Sequence, residues 1–458
     1  MLRQAVRILQ VPFHYYPDVV GGTEVYTASL ARELARIGVE VEIAAPGAVE
    51  EHYVYDGIPV YRFAARPEVK DLAELYGTGD PVAAEQFRRI LDRTQPDLVH
   101  LHAMVPAVSL QVLREVKRRG LPVIFTHHIP GVTCPRGTLL RYDRSVCDGV
   151  WGLHKCSRCT LHLHGLIKPL SQVLGSLPPA VGRAVASLQV HGKAATALRM
   201  TEVLALRRRT VTAFLAEVDR IVAVSEWVHQ VLLRTGVPEG KITVCRHGRT
   251  QTCGIALGPR QGTGQSEPGP LRIAFVGRLY PAKGLHILVQ ALRELPDLPV
   301  KLDVYGMVQS RASELYRSCL ISSASGDSRI SLLPPLPQDE VVGRLAEYDA
   351  LAVPSQWMET GPLVVYDAFA AGIPVIGSDR GGIAELVEHE RNGLLVEPSR
   401  VGAWAAAIRR LAGDRELVER LRNGIRPPRT MTAVAREMQA LYERALDKAD
   451  ERKLCASS

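Results

Sequence analysis

Nowhere in the 458 residues does an apolar run reach the roughly 18 side chains that a membrane-spanning helix needs, so an integral membrane class is not expected. The N-terminal Met-Leu-Arg-Gln-Ala passes directly into strand-like residues. It has neither the apolar core nor the small-residue cleavage site of a secretory leader, and a cytoplasmic location is expected. Disorder is likewise not expected, because hydrophobic residues make up 46% and charged residues only 23%. The length exceeds one ordinary core and suits two domains of roughly 200 residues each.

The net charge of +8 is modest but concentrated. Residues 161–210 carry Lys168, Arg183, Lys193, Arg199, Arg207, Arg208 and Arg209 against one acid, Glu202, with no aromatic residue among them. The missing aromatics argue against a single-stranded nucleic-acid groove, where bases stack on such rings. Two readings of the segment stay open. One is a solvated helix face. The other is an interfacial segment that docks on an anionic membrane, near a lipid-linked acceptor, through Leu166-Ile167 and Leu204-Ala-Leu206.

Two α/β rhythms organise the rest. In 1–250, Val6–Val11, Val39–Ala44, Leu98–His102, Val123–Thr126 and Arg220–Val224 read as strands. Thr23–Ile37 reads as a helix with Tyr26, Leu30, Leu34 and Ile37 on one face. This alternation implies parallel strands covered by helices on both sides. Residues 251–270, rich in Gly and Pro, have the composition of a linker. The rhythm restarts in 271–428, with strands at Leu271–Val276, Lys301–Tyr305, Ala350–Val353 and Val375–Ile376 and a helix at Gly284–Leu295. Residues 429–458 predict an amphipathic helix with Met431, Val434, Met438, Leu441 and Tyr442 on its apolar face. The expected class is α/β, with two Rossmann-like doubly wound domains whose strand C-termini face a central cleft.

Three strand–loop–helix junctions carry candidate chemistry. In the first, the strand Ala350–Val353 is followed by a turn with Glu359 and by a helix start near Pro362. The amides of Gly361, Leu363 and Val364 then form a helix N-terminus suited to a diphosphate. Asp367 lies about two turns further on, so that Glu359 and Asp367 can hold different parts of one long ligand. In the second, Arg278 and Lys283 sit between a strand and a helix start, where they can neutralise a leaving diphosphate. In the third, Gly21 and Gly22 precede the first helix and allow a ligand close to the backbone.

These junctions, together with Glu359 through Glu385 and its Gly381-Gly382 pair, resemble the family 4 glycosyltransferases of the GT-B fold over nearly the whole chain. The resemblance implies a retaining transferase that moves a hexose-type sugar from a UDP-, GDP- or ADP-sugar to a hydroxyl of a glycan, lipid-linked sugar or small molecule. It implies no catalytic metal and a last helix that returns to the N-terminal domain. In that family a Glu, seven residues and a second Glu mark the donor site, the first on the transferred sugar and the second on the ribose. Glu359 matches the first, whereas Asp367 departs from the second by one methylene. Arg278 and Lys283 are assigned to the donor diphosphate, and Gly22 is placed beside it. The catalytic set implied is Glu359, His128, Arg278 and Lys283, with His128 following the strand Val123–Thr126 and His127 as its fallback. Another GT-B enzyme, a sugar-nucleotide epimerase or a phosphorylase, and a basic nucleic-acid-binding protein are the competing readings.

The four cysteines Cys134, Cys147, Cys156 and Cys159, spaced C-x12-C-x8-C-x2-C, lie in an insertion at 131–162. Disulfides are not expected in a cytosolic chain, and the terminal C-x2-C suggests a structural zinc, or alternatively an iron–sulfur cluster.

Overall fold

The computed structural model describes residues 6–18, 21–142, 145–249 and 269–457, with the side chains of the last helix described through Lys453. The linker expected at 251–270 lies outside the described residues except for its last two, as do Val19 and Val20 and Cys253. The chain forms two α/β units, one of Met1–Arg246 with Thr432–Ser458 and one of His247–Met431.

The first unit is built on β1 (Arg7–Val11), β2 (Glu40–Gly47), β3 (Glu51–Tyr55), β4 (Ile58–Ala64), β5 (Leu98–Leu101), β6 (Val123–His127), β7 (Leu140–Arg141), β8 (Ser145–Val146), β9 (Arg220–Ala223) and β10 (Ile242–Val244). Eight of these form one sheet in the order β10-β9-β6-β5-β1-β2-β4-β3, and β7 pairs with β8 apart from it. All neighbours in the large sheet run parallel except β3 and β4. Every residue of β5 and β6 is buried. Strands buried on both faces require helices on both sides, which is what parallel crossovers supply. The strand order reverses between β1 and β5, so the C-terminal ends of β1, β5 and β6 open the position where such sheets take ligands.

Residues 153–217 form four helices, Leu153–Leu163, Lys168–Leu174, Pro179–Ser187 and Lys193–Glu217. Leu204 is fully buried in a cluster with Leu161, Ala197 and Met200, and the Leu206 side chain lies against Gly77. The expectation that Leu204-Ala-Leu206 meets a membrane is therefore corrected, because packing within the unit consumes these side chains. The exposed large apolar residues of the segment are Leu163, Ile167, Leu170, Val173, Leu188 and Val190, of which the sequence reading named Ile167. Among the described residues no helix is long and apolar enough to cross a membrane.

The last helix, Met431–Ser457, belongs to the first unit from Thr432 onward. It buries Val434, Ala435, Met438, Leu441 and Tyr442, the face read from the sequence. Thr432 Oγ1 donates to Glu33 Oε2 at 2.7 Å and fixes its first turn.

The second unit contains β11 (Leu271–Arg278), β12 (Val300–Met307), β13 (Ile330–Leu333), β14 (Ala350–Val353), β15 (Val375–Ser378) and β16 (Gly393–Val396). They form one sheet in the order β13-β12-β11-β14-β15-β16, parallel throughout. One apolar cluster, centred on the fully buried Trp404 with Leu288 and Leu302, fills one side. Another, with Val365, Phe369 and Ile383, fills a second. The switch point lies between β11 and β14, which end in Gly277-Arg278 and Val353.

Candidate functional site

At the switch point of the second unit, backbone contacts lock the loops after β11 and β14 together. Gln356 N donates to Ala282 O at 2.7 Å. Gly284 has φ of +75°, and a Cβ there would stand 1.9 Å from Pro354 O, so the position tolerates only glycine. This clamp sets Lys283 against the following loop. Lys283 Nζ lies 2.6 Å from Glu359 Oε1, which also accepts from Ser355 Oγ at 2.7 Å and Trp357 Nε1 at 2.6 Å. Burial works to raise the Glu359 pKa, but the Lys283 ammonium and these hydrogen bonds overcome it and hold the carboxyl below its usual range. Gly382 N donates to Glu359 O at 2.7 Å, so the Gly381-Gly382 pair read from the sequence braces the Glu359 backbone. Arg278, at the end of β11, is exposed.

The helix after this loop is Leu363–Ala370, one residue later than expected. Pro362 is its cap, with an extended ψ of 97°. Leu363 and Val364 are half-buried at its N-terminus. Asp367 is 4% exposed. Its Oδ1 has no hydrogen-bond partner among the described residues, and desolvation pushes its pKa up to about 7. The structure thus brings together Lys283 and Glu359 and places Asp367 about one turn along the adjoining helix. His247, which the sequence reading passed over, stands against this loop. Its Nδ1 lies 3.2 Å from Gly361 O, a Cβ on Gly361 would meet its ring, and burial lowers its pKa to about 4. A histidine-glycine pair just beyond β10 was the available signal.

In the first unit the strand ends carry a hydrogen-bonded histidine network. His128 Nε2 lies 3.0 Å from His102 Nδ1, and His102 Nε2 lies 2.6 Å from Gln10 Oε1. Gln10 Nε2 donates to Tyr442 Oη at 3.0 Å. His127 sits apart from this network. Neither of its ring nitrogens has a hydrogen-bond partner among the described residues, and burial lowers its pKa to about 4. Gln10, His102 and Tyr442 were not read as site residues. The alternation of His100 and His102 on one strand was a signal of two side chains on one face.

Gly21 caps the helix Gly22–Arg36, and its N–H is already donated to Glu24 Oε2 at 2.8 Å. The Arg207 guanidinium turns inward toward Met104 O and Gly131 O, at 3.5 and 3.4 Å. Desolvation lowers its pKa to about 10, and among the described residues no carboxylate pairs with it.

Cys134, Cys147, Cys156 and Cys159 are all free thiols. Burial, with small contributions from Cys134 and Cys147, raises Cys156 to about 11. Cys159 is committed elsewhere. Its sulfur accepts from Arg136 Nη1 at 3.1 Å and lies 3.7 Å from Leu140 O. Among the described residues no three His, Cys, Asp or Glu side chains stand close enough to hold a metal ion. The tetrahedral zinc or iron–sulfur shell expected from the spacing does not fit the four thiols as placed, because Cys159 faces its own hydrogen-bond partners.

Two Rossmann-like units, a last helix packed on the first and a charged strand-end site on the second define the GT-B glycosyltransferase class. The Glycosyl transferase 4-like domain matches residues 21–248 and the Glycosyl transferases group 1 domain matches residues 263–426. The D-inositol 3-phosphate glycosyltransferase of Pseudarthrobacter chlorophenolicus is 27% identical over 408 residues, covering 86% of this chain and 82% of that protein. The fold is shared with sucrose-phosphate synthase from Thermosynechococcus elongatus, with a TM-score of 0.66 at 19% identity over 99% of this chain and all of that one. It is shared also with Anabaena HepE in complex with UDP and glucose, with a TM-score of 0.61 at 16% identity over 96% of this chain and 100% of the other. The chain belongs to the family 4 glycosyltransferases and is a glycosyltransferase.

Proposed function

We propose that this glycosyltransferase moves a hexose-type sugar, with retention, from a UDP-, GDP- or ADP-sugar to a hydroxyl of a phosphate-bearing acceptor. The observation that carries the reading is the Lys283–Glu359 pair at the β11/β14 switch point. A diphosphate brings more negative charge to Lys283 than one carboxylate does. When it takes the ammonium, Glu359 accepts a hydroxyl of the sugar in the place of Lys283, while Ser355 and Trp357 still donate to Oε1. Arg278 and the N-terminal amides of Leu363–Ala370 add to the stabilisation of the departing group. Asp367 supplies an acceptor for a ribose hydroxyl, since its Oδ1 is buried and has no hydrogen-bond partner among the described residues.

In the reaction the bond from the sugar's anomeric carbon to the diphosphate oxygen breaks, and its electron pair leaves with the diphosphate. The acceptor oxygen forms the new bond on the same face and passes its proton to a phosphate oxygen of the leaving group. His128 takes the role of positioning the sugar. Arg207, a desolvated cation whose partners are two carbonyls, suits a phosphate on the acceptor. The inositol phosphate in the name of the Pseudarthrobacter relative and the UDP and glucose in complex with HepE support both halves of the reading.

Product formation from a panel of nucleotide sugars, each offered with a polyol and its phosphate monoester, tests it. The expected result is one preferred donor, retained anomeric configuration and transfer to the phosphorylated acceptor, lost in Glu359→Ala. Wild-type turnover in Glu359→Ala, or inversion at the anomeric carbon, would overturn the central assignment. Equal use of both acceptors would remove the role given to Arg207.

A further inference from the structure

We propose that the helical insertion between β8 and β9 docks on an anionic lipid bilayer, through one side of the helix Lys168–Leu174 and the turn at 188–190. Residues 149–201 hold Lys155, Arg158, Lys168, Arg183, Lys193 and Arg199 and no Asp or Glu, in a chain with 48 acidic residues among 458. Lys155 and Arg199 reach carboxylates just outside that stretch, Asp148 at 2.6 Å and Glu202 at 2.9 Å. Lys168, Arg183 and Lys193 are exposed and have no carboxylate partner among the described residues. Lys168 Nζ stands 5.7 Å from the centre of the Tyr142 ring, which is neutral. The helix Leu110–Arg118 is different, for it pairs Arg114, Lys117 and Arg118 with Glu217, Asp219 and Glu115. The insertion therefore carries cations that its own fold leaves uncompensated, and such charge attracts anionic surfaces.

The same insertion exposes apolar side chains that a solvated helix face would not carry. Leu166 and Leu174 pack on Leu161, Met200 and Leu204, and Ser171 is fully buried, so one side of Lys168–Leu174 faces the unit. Ile167, Leu170 and Val173, spaced three residues apart, follow one another along an adjoining side. They are 69%, 46% and 64% exposed. The next helix, Pro179–Ser187, packs on Arg199 and Glu202 at Gly182. Beyond it Leu188 and Val190 are 72% and 53% exposed. Of sixteen exposed large apolar residues among the described ones, six lie between 163 and 190. That concentration marks a contact surface rather than scattered exposure.

The charges select the occupant. Lys168 adjoins Ile167, and Lys193 follows Val190 by three positions. With the apolar side chains in the acyl boundary, these cations and Arg183 meet lipid phosphates. A second copy docked through the same face would set the cations against one another instead. The anchor differs from the one expected from the sequence. Ile167 belongs to it, whereas Leu204 is spent on packing within the unit.

Flotation with vesicles of phosphatidylcholine, made with and without phosphatidylglycerol, tests the proposal at low and high salt. The wild type is expected to float with the anionic vesicles, less so at high salt, and not with the neutral ones. Two variants divide the face. One combines Ile167→Gln with Val173→Gln, and the other combines Lys168→Gln with Arg183→Gln and Lys193→Gln. All five side chains are exposed, so melting temperatures should match the wild type. Each variant is expected to bind anionic vesicles roughly tenfold or more weakly. No flotation at low salt overturns the proposal, as does equal binding to both vesicle types. Loss in the cation variant alone also overturns it, because the protein then binds by charge without inserting this face. Sedimentation velocity without vesicles is expected to show no association through the face. A dimer that the Ile167→Gln and Val173→Gln pair dissolves would assign the face to a second copy and overturn the assignment to lipid.

Discussion

In the second unit Lys283 and Glu359 keep full charges while mostly out of water, with side chains 22% and 11% exposed. In the first unit His100 is fully buried and is held neutral. The difference lies in the partners. An ammonium 2.6 Å from a carboxylate offsets the desolvation of both, whereas an imidazole among an amide, a hydroxyl and other imidazoles gains more by giving up its proton. In our reading one strand-end site therefore exchanges one anion, the Glu359 carboxylate, for another. In the same reading the other presents neutral hydrogen-bonding groups, which suit hydroxyls rather than phosphates. Asp367 and Arg207 break this rule. Each is desolvated without an opposite charge at hand among the described residues, and in our reading the substrates supply the partner.

The largest effect that can break the comparison comes from the cations of the second unit. Lys283→Met and Arg278→Ala should each slow transfer by about two orders of magnitude if both charges stabilise the leaving diphosphate. Their stabilities should differ. Losing Lys283 strips a buried carboxylate of its ion pair, at a cost of about 2 kcal/mol, whereas Arg278 is exposed and its removal should leave the melting point in place. Equal melting temperatures for the two variants would mean that the Lys283–Glu359 pair contributes nothing to the fold.

A smaller effect tests Asp367. Its folded pKa, raised to about 7 by desolvation, lies above the unfolded value of about 3.9. Between the two values the folded chain holds a proton that the unfolded chain has released. Stability therefore falls as pH rises from about 4 to about 7, and the penalty is level above that. Asp367→Asn should gain stability over the wild type at pH 8 and gain little at pH 4, measured by denaturant melts without nucleotide. A difference that does not change with pH would show that this carboxyl is not desolvated.

Much of this was readable from the residues. Continuous β-branched runs such as Val123–Thr126 announce strands buried on both faces, and Met431, Val434, Met438, Leu441 and Tyr442 announce the face of the last helix. Glu359, Lys283 and Asp367 were legible because loop chemistry at a switch point is local in sequence. The hairpin of β3 and β4 was not read, although Asp56 and Gly57, with φ of 53° and 78°, form its turn. Its exposed strand, Glu51–Tyr55, has charged and aromatic residues where an aliphatic alternation would show. The network of Gln10, His102 and Tyr442 escaped for a different reason. Its members are separated by up to 432 positions, and only the return of the last helix to the first unit joins them.

The smallest effect sharpens the neutral side of the comparison, where two adjacent histidines differ completely in their surroundings. His128 is tied to His102, whereas His127 is 1% exposed with no hydrogen-bond partner for either ring nitrogen among the described residues. Its ring lies 6.3 Å, centre to centre, from that of Phe125, which belongs to a large apolar cluster of the unit. Leaving a polar group buried and unsatisfied costs about 1–3 kcal/mol, and an apolar group of similar volume removes that penalty. His127→Leu should therefore be neutral or more stable by up to about 1 kcal/mol, with transfer within about twofold of the wild type. His128→Leu should slow transfer about a hundredfold if the ring positions the sugar. Paired melts and initial rates of the two variants check this. A folded His127→Leu that no longer transfers sugar would move the role at the end of β6 from His128 to His127 and leave the hydrogen-bonded network as a purely structural feature.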